Sequence, residues 1–205
     1  MAFGGAEVLA AGAADQGLLD RCRQGDPQAF ARLVALHEGM VLNLAMRLLG
    51  DLEEAKDISQ DVFLQVYKML GRFEGRSSLR TWIYRIVLNL CRNRRRFWRR
   101  HRRSQSCPLE DLAPRDEARL SSRREASPFE SLERREREVR VQAALLRLSF
   151  DHRAILLLRE VEDLSCAQIG AALGLPEGTV KSRLARAREA LRRVLAPILL
   201  EGDSV

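Results

Sequence analysis

Ser165-Cys166-Ala167-Gln168 has the S-x-x-Q form of a capping box, in which the serine hydroxyl accepts the third backbone N–H and the glutamine reaches back to the serine N–H. Ile169, Ala172 and Leu173 follow as one apolar side. Gly174 stops this helix because it takes the left-handed conformation without a Cβ penalty, and Pro176 opens the next with its φ preset. Two helices joined by so short a Gly-containing turn make a helix-turn-helix. At about 100° per residue the second helix gathers Val180, Leu184, Ala187, Leu191 and Val194 on one side. Gly178, Lys181, Ser182, Ala185, Arg186 and Glu189 take the other, with Arg183 and Arg188 on the flanks. From Glu177 to Val194 there are six basic and two acidic residues. A narrow polar stripe with small residues between its cations suits a DNA major groove, flanking arginines meeting phosphate. A solvated helix face is the plainer reading, and the capped turn and the small residues weigh against it.

A second group is purely electrostatic. Arg92 to Arg103 reads RNRRRFWRRHRR, eight arginines and no acid, which alone exceeds the net charge of +7 carried by the whole chain. Phosphate contact without sequence reading is the expected role of Arg92, Arg94, Arg95, Arg96, Arg99 and Arg100. Asp57, Gln60, Asp61 and Leu64 form a third group at i, i+3, i+4 and i+7, opposite Ile58, Val62, Val66 and Met69. Periodicity alone makes that stripe a solvated face. Nothing points to bond chemistry. His37, His101 and His152 lie far apart with no carboxylate at motif spacing, and there is no phosphate-binding Gly loop, so no catalytic residue and no cofactor is expected. The four cysteines, Cys22, Cys91, Cys107 and Cys166, contain no C-x-x-C pair, and the set Cys91, His101 and Cys107 lacks a local fourth ligand. No metal is expected, and reduced thiols are the better reading.

Helices must position these groups. In 205 residues, 46% are hydrophobic, 31% charged and only 5% aromatic, the mixture of an all-α protein. The spacing predicts helices from Pro27 to Gly50, from about Glu53 to Leu70, from Leu79 into the arginine run, from about Glu136 to Leu148, around His152 to Glu160, and two short ones broken at Gly174-Leu175-Pro176. Between them, Ser104 to about Ser131 holds Pro108, Pro114, Pro128 and several serines with no sustained apolar period, which reads as a flexible linker. The expected organisation is a tail over 1–17, a first small helical domain over 18–104, a linker over 105–135 and a second domain over 136–200. No run approaches about 18 uninterrupted apolar residues and the N-terminus lacks the cations of a signal peptide, so a cytoplasmic chain without membrane insertion is expected.

D-I-S-Q-D-V-F-L-Q-V-Y (Asp57 to Tyr67), F-E-G-R-S-S-L-R-T-W-I-Y-R-I-V-L-N (Phe73 to Asn89) and the helix-turn-helix (Leu164 to Leu191) together resemble the bacterial extracytoplasmic-function (ECF) sigma factors, the minimal two-domain members of the sigma-70 family. The resemblance spans roughly residues 18–100 and 136–196 in the family's order. It implies a sigma region 2 bundle and a sigma region 4 helix-turn-helix that bind RNA polymerase core, through its β′ clamp helices and β subunit, and direct it to promoter DNA. It turns Asp57, Gln60, Asp61 and Leu64 from a solvated face into the surface that docks on the clamp helices. Phe73, Gly75, Arg76, Ser77 and Ser78, with Arg85 and Asn89 behind them, match the region that takes an unstacked base of the −10 element; Thr81 and Trp82 match a pair at the edge of the melted DNA, Trp82 serving equally well as core. Lys181, Ser182, Arg183, Ala185 and Arg186 match the residues that approach the −35 element, with Ala185 where some relatives have a large aromatic. The linker is expected to thread toward the RNA exit path, and an anti-sigma factor is implied as a further partner. Two rivals stand beside this reading: a repressor or activator acting without polymerase, which has no use for the acidic stripe, and a nucleic-acid enzyme, which needs residues the motifs do not supply.

Overall fold

Asp26 ends the first described helix, α1 (residues 16–23), and starts the second. Its carboxylate accepts from the backbone N–H groups of Gln28 and Ala29 at 2.9 and 3.2 Å, and Pro27 follows at the first helical position, so α2 (Pro27–Leu49) begins where the sequence predicts. The computed structural model describes the backbone of residues 16–104 and 128–202 and the side chains of 16–101 and 137–197. At the far end of α2, Gly50 takes φ 77°, its N–H bonds Met46 O at 2.8 Å, and Asp51 at once caps α3 (Leu52–Met69) by accepting from Glu54 N at 3.1 Å. A single 3₁₀ turn (Leu70–Arg72) and a polar loop lead to α4 (Leu79–Ser104). Leu33, Val41, Leu44 and Leu48 of α2 meet Ile58, Val62 and Val66 of α3 and Ile83, Tyr84, Val87 and Leu88 of α4 in one buried core. Helix α2 has the length and apolarity of a membrane span by composition, but its apolar face is spent on this packing.

The second half begins earlier than its apolar pattern indicates. Helix α5 runs Pro128–Arg147, so residues 128–135, expected as linker, are helical; Pro128 opens the helix, which needs no donor at that position. The rest of the expected linker, residues 105–127, lies outside the described residues. Ser149 caps α6 (Phe150–Leu156), which passes into a π-helical segment (Leu157–Val161). Asp163 then takes φ 53°, and Ser165 starts α7 (Cys166–Leu173) through the full capping box. Helix α8 (Glu177–Gly202) is long rather than short and continues through Pro197. Among the described residues there is no strand.

The two domains are packed together, and their buried apolar residues form one continuous cluster. Arg153 of α6 is central to the joint. It is only 3% exposed, yet no carboxylate pairs with it among the described residues. Its Nε donates to Leu145 O at 2.8 Å, its Nη2 to Leu146 O and Leu148 O at 2.6 and 3.2 Å, and its Nη1 to Leu48 O. These carbonyls are the open ends of α5 and α2, where unpaired acceptors and helix dipoles concentrate negative potential. Burial, then the neighbouring Arg95, push the guanidinium down to about 10, so it still carries its charge near neutrality. Gln142 Nε2 donates to Arg47 O at 3.2 Å beside it, and Leu146 lies over Gly50 so closely that a Cβ there would meet its Cδ1 at 2.6 Å. Replacing Arg153 with Met should leave several buried carbonyls without donors and cost at least about 2 kcal/mol, each such group being worth about 1–3 kcal/mol. Urea denaturation checks this, with the transition midpoint falling well below that of the parent chain.

Candidate nucleic-acid interface

The helix-turn-helix is built as its sequence requires. Ser165 Oγ accepts from Gln168 N at 3.2 Å while Gln168 Oε1 accepts from Ser165 N at 2.8 Å. Gly174 adopts φ 68°, and its N–H and that of Leu175 both bond Gly170 O. Gly170 permits the close turn: a Cβ there would meet Leu175 O at 2.7 Å, a backbone atom that cannot move aside. Val180, Leu184 and Ala187 are buried, Leu191 and Val194 half-buried, which turns Gly178, Lys181, Ser182, Ala185 and Arg186 outward. Glu177 bonds Lys181 Nζ at 2.8 Å and raises its pKa, Ser182 Oγ donates to Thr179 O at 3.1 Å, and Arg183 is half-buried on the flank. Arg188 is exposed and pairs with Glu160 of the π-helical segment at 2.7 Å.

In the N-terminal domain the loop after α3 divides into supports and exposed groups. Phe73 is 9% exposed and packs against Trp82 with ring centroids 5.1 Å apart, while Arg23 of α1 donates to Phe73 O at 2.6 Å. Thr81 is 2% exposed and shares a 2.8 Å hydrogen bond with Ser78 Oγ, which also accepts from Thr81 N at 3.2 Å. Phe73, Thr81 and the inner face of Trp82 therefore shape the loop from behind. Gly75 at φ 71°, Arg76 and Ser78 stand outside, with Ser77 half-buried. Arg85 and Asn89 are exposed farther along α4, about one helical turn apart.

On α3, Asp57, Gln60, Asp61 and Leu64 are exposed, opposite buried Ile58, Val62 and Val66. Leu64 is 58% and Tyr67 61% exposed, with Tyr67 edge-on to Phe30 of α2, so the acidic stripe ends in an apolar step of which periodicity singled out Leu64 but not Tyr67. Arg94 crosses from α4 and bonds Glu54, lying 3.8 Å from Asp57 and 3.6 Å from Asp61. The arginines of the run thus meet different neighbours within the chain. Arg94 faces the stripe, Arg92 pairs with Asp151 at 3.0 Å, and Arg92 and Arg95 both stack over Phe150, because a helix wedged between α3 and the second domain points successive residues to different neighbours. Arg96, Arg99 and Arg100 remain exposed, and Phe97 stacks on His101 at 4.2 Å. Burial pushes the Cys91 thiol up to about 12, and Cys107 lies outside the described residues. Arg153, and a cluster of Arg80, Tyr84 and Glu162 across the domain joint, also escaped the motif reading.

The family model for sigma-70 region 2 matches residues 33–104 and that for sigma-70 region 4 matches residues 138–191. Along 192 residues the chain is 37% identical to the RNA polymerase sigma-H factor of Pseudomonas aeruginosa, covering 92% of this chain and 97% of that protein. It is 33% identical over 187 residues to the ECF RNA polymerase sigma-E factor of Escherichia coli K12, covering 90% and 96%. Among solved structures, CnrH in complex with the cytosolic domain of CnrY superposes with a TM-score of 0.62 at 27% identity, covering 93% of this chain and 99% of that one. The sigma factor RpoE in complex with the anti-sigma factor NepR, from Bartonella quintana, superposes with a TM-score of 0.63 at 25% identity, covering 82% and 96%.

Replacing Gly170 with Ala should force the turn open, at an overpacking cost of about 1–3 kcal/mol. Urea denaturation together with a duplex-DNA binding assay checks this: stability and duplex affinity should fall together.

Proposed function

The chain belongs to the ECF group of the sigma-70 family, and from that membership we propose how its surfaces divide the work of starting transcription. It binds RNA polymerase core in the cytoplasm, directs it to promoters and assists melting, with no active site of its own. The observation that carries the assignment is that each family motif presents an outward face backed by core. The acidic stripe of α3 lies opposite Ile58, Val62 and Val66, and the recognition face of α8 opposite Val180, Leu184 and Ala187.

Asp57, Gln60, Asp61 and Leu64 dock on the β′ clamp helices, the carboxylates meeting basic groups and Leu64 covering apolar surface beside Tyr67. A repressor acting alone has no use for such a step of exposed acid and leucine. Lys181, Ser182, Ala185 and Arg186 enter the major groove of the −35 element, with Arg183 on the adjoining phosphates, because intact duplex is read only by a side chain that reaches base edges. Among the described residues no carboxylate pairs with Arg186, which leaves its guanidinium fork available for a guanine or a phosphate. The −10 element is read as a single strand. Gly75, Arg76, Ser77 and Ser78 offer backbone and small polar groups to an unstacked base, Arg85 and Asn89 line its path, and Phe73, Thr81 and Trp82 hold the loop in shape. Arg96, Arg99 and Arg100 supply sequence-independent phosphate contact. An anti-sigma factor is a further partner, a reading supported by the two similar structures, of which one holds NepR, named an anti-sigma factor, and the other CnrY.

Changing Asp57 and Asp61 together to Lys should abolish binding to purified core while the helical circular dichroism and thermal midpoint stay near those of the parent chain. Unaltered core affinity would refute the docking assignment. Replacing Arg186 with Ala should relax −35 preference and leave the −10 preference intact, costing about 1–3 kcal/mol if the contact is bidentate to a base. Replacing Asn89 with Ala should do the reverse, altering the tolerated −10 bases and slowing open-complex formation. Selection from a library randomised at both elements reads the two effects separately, and an Arg186→Ala shift in the −10 consensus contradicts the division.

A further inference from the structure

Helix α1 ends on an arginine that reaches the loop after α3. Leu19 and Cys22 of α1 are buried, and Arg21 closes the corner to α2 by bonding Asp26 Oδ2 through Nε and Nη2 at 2.9 and 2.7 Å. The end of the helix is thereby fixed in place. From it, Arg23 Nη1 donates to Asp20 Oδ1 at 2.9 Å, which orients the planar guanidinium. Its Nη2 donates to Phe73 O at 2.6 Å, 50 positions away along the chain. Phe73 is held on two further sides, its N–H bonding Leu70 O at 3.1 Å and its ring lying against Trp82. At the far end of the loop Ser78 is tied to Thr81. Residues 74–77 cross between these anchors, with Gly75 in the left-handed region and Glu74 paired to Arg76 at 2.6 Å on the exposed side.

The consequence lies in one peptide plane. A trans peptide is planar, and its N–H points opposite to its C=O. Holding Phe73 O toward α1 therefore turns Glu74 N–H to the other side, where no acceptor among the described residues takes it. We infer that Arg23 is a positioning residue for base reading: it fixes the Phe73–Glu74 peptide so that Glu74 N–H is presented as a donor to the unstacked −10 base. This inference rests on the −10 reading above and deepens it.

A guanidinium suits this task better than water or a neutral donor. Its bond to the carbonyl is charge-assisted, and a carbonyl so engaged polarises its own amide, which strengthens the N–H as a donor. An N–H only donates, so it favours a base that turns a carbonyl oxygen or a bare ring nitrogen toward it over one that turns an amino group. Such discrimination survives only if the donor is held to within about 0.5 Å by groups that are themselves fixed. Arg23 meets that condition, since Asp20 orients it and the buried side of α1 anchors its backbone. Arg76, for its part, neutralises the one acid of the loop, which would otherwise repel the strand being read.

Holoenzyme assembled from polymerase core and each full-length variant, selecting from a promoter library randomised at the −10 element, tests the assignment. Arg23→Met keeps the stem and removes the donors, and Arg23→Lys returns one charged donor. Glu74→Pro deletes the N–H itself, following a Phe73 whose φ of −74° and ψ of 108° already suit a proline, and Glu74→Ala accounts for the lost side chain. Circular dichroism and thermal midpoints verify that each variant is folded. Arg23→Met should lower discrimination among bases at one −10 position by at least about threefold, within the roughly tenfold that one charge-assisted hydrogen bond is worth. The −35 preference should stay intact, and Arg23→Lys should recover part of the loss. Glu74→Pro should act like Arg23→Met, and combining the two should add nothing to Glu74→Pro alone, because both work through one donor. Trp82 and Trp98 are the two tryptophans of the chain, so in a Trp98→Phe background Trp82 emission reports on the loop without DNA or polymerase. Arg23→Met should shift that emission to the red and make it easier to quench with acrylamide. An unmoved Trp82, full additivity with Glu74→Pro, or a loss equal for every base with a shallower salt dependence, as for a plain phosphate contact, each overturns the inference. Asn89→Ala separates it from the reading beneath it. An altered −10 preference in Asn89→Ala with none in Arg23→Met sinks the role of Arg23 alone, whereas no alteration in Asn89→Ala, Glu74→Pro or Arg23→Met sinks the −10 reading and this inference together.

Discussion

A guanidinium buried against the carbonyl ends of two helices organises this molecule. Arg153 has no carboxylate counterpart among the described residues, yet it keeps its charge at neutral pH because its donors meet Leu145, Leu146 and Leu148 at the end of α5 and Leu48 at the end of α2. Helix C-termini carry unsatisfied acceptors that water ordinarily solvates. Burying two of them at one place is costly unless a donor arrives with them, and one arginine supplies several donors in a rigid fork. The turn from α5 to α6, the seating of Leu146 over Gly50 and the approach of α6 to the N-terminal domain all follow from that arrangement.

The distribution of arginine has a similar logic. Helix α4 is wedged between the acidic face of α3, the second domain and solvent, so a run that looks uniform is sorted by helical angle into three environments. Arg94 lies across the carboxylates of α3, Arg92 and Arg95 reach Phe150 and Asp151, and Arg96, Arg99 and Arg100 stay in water. A sigma factor must bind a protein and a polyanion through neighbouring surfaces. Placing a cation beside the acidic stripe tempers a charge that would otherwise repel nearby phosphate, and Leu64 and Tyr67 add apolar area that does not depend on charge at all.

Local features are legible from residue order because they rest on interactions within a few positions. Asp26, Asp51 and Ser165 cap helices through bonds two or three residues away, and Gly50 and Gly174 stop them in the left-handed region. The faces of α3 and α8 follow from angular spacing, so residue order alone separates the buried rows Ile58, Val62, Val66 and Val180, Leu184, Ala187 from the outward stripes opposite them. The start of α5 is not legible in this way, because its first turns lack an apolar period and their prolines and serines resemble those of a loop.

By itself, then, the sequence determined most of the helices, though not α1, the start of α5 or the full length of α8, and with them the outward faces of α3 and α8 and the family to which those faces belong. Only the tertiary structure decided which polar residues are spent inside the molecule. Leu48 and Arg153 are 105 positions apart, Tyr84 and Glu162 are 78 apart, and Arg94 lies 40 from Glu54. Nothing in the local pattern distinguishes Arg94 from Arg96, or Arg80 from Arg85, since all sit on one helix with the same propensity. What separates them is the direction in which each leaves α4 and the element that happens to be packed there, which is fixed only when distant helices meet and each buried polar group must find a partner or remain in water.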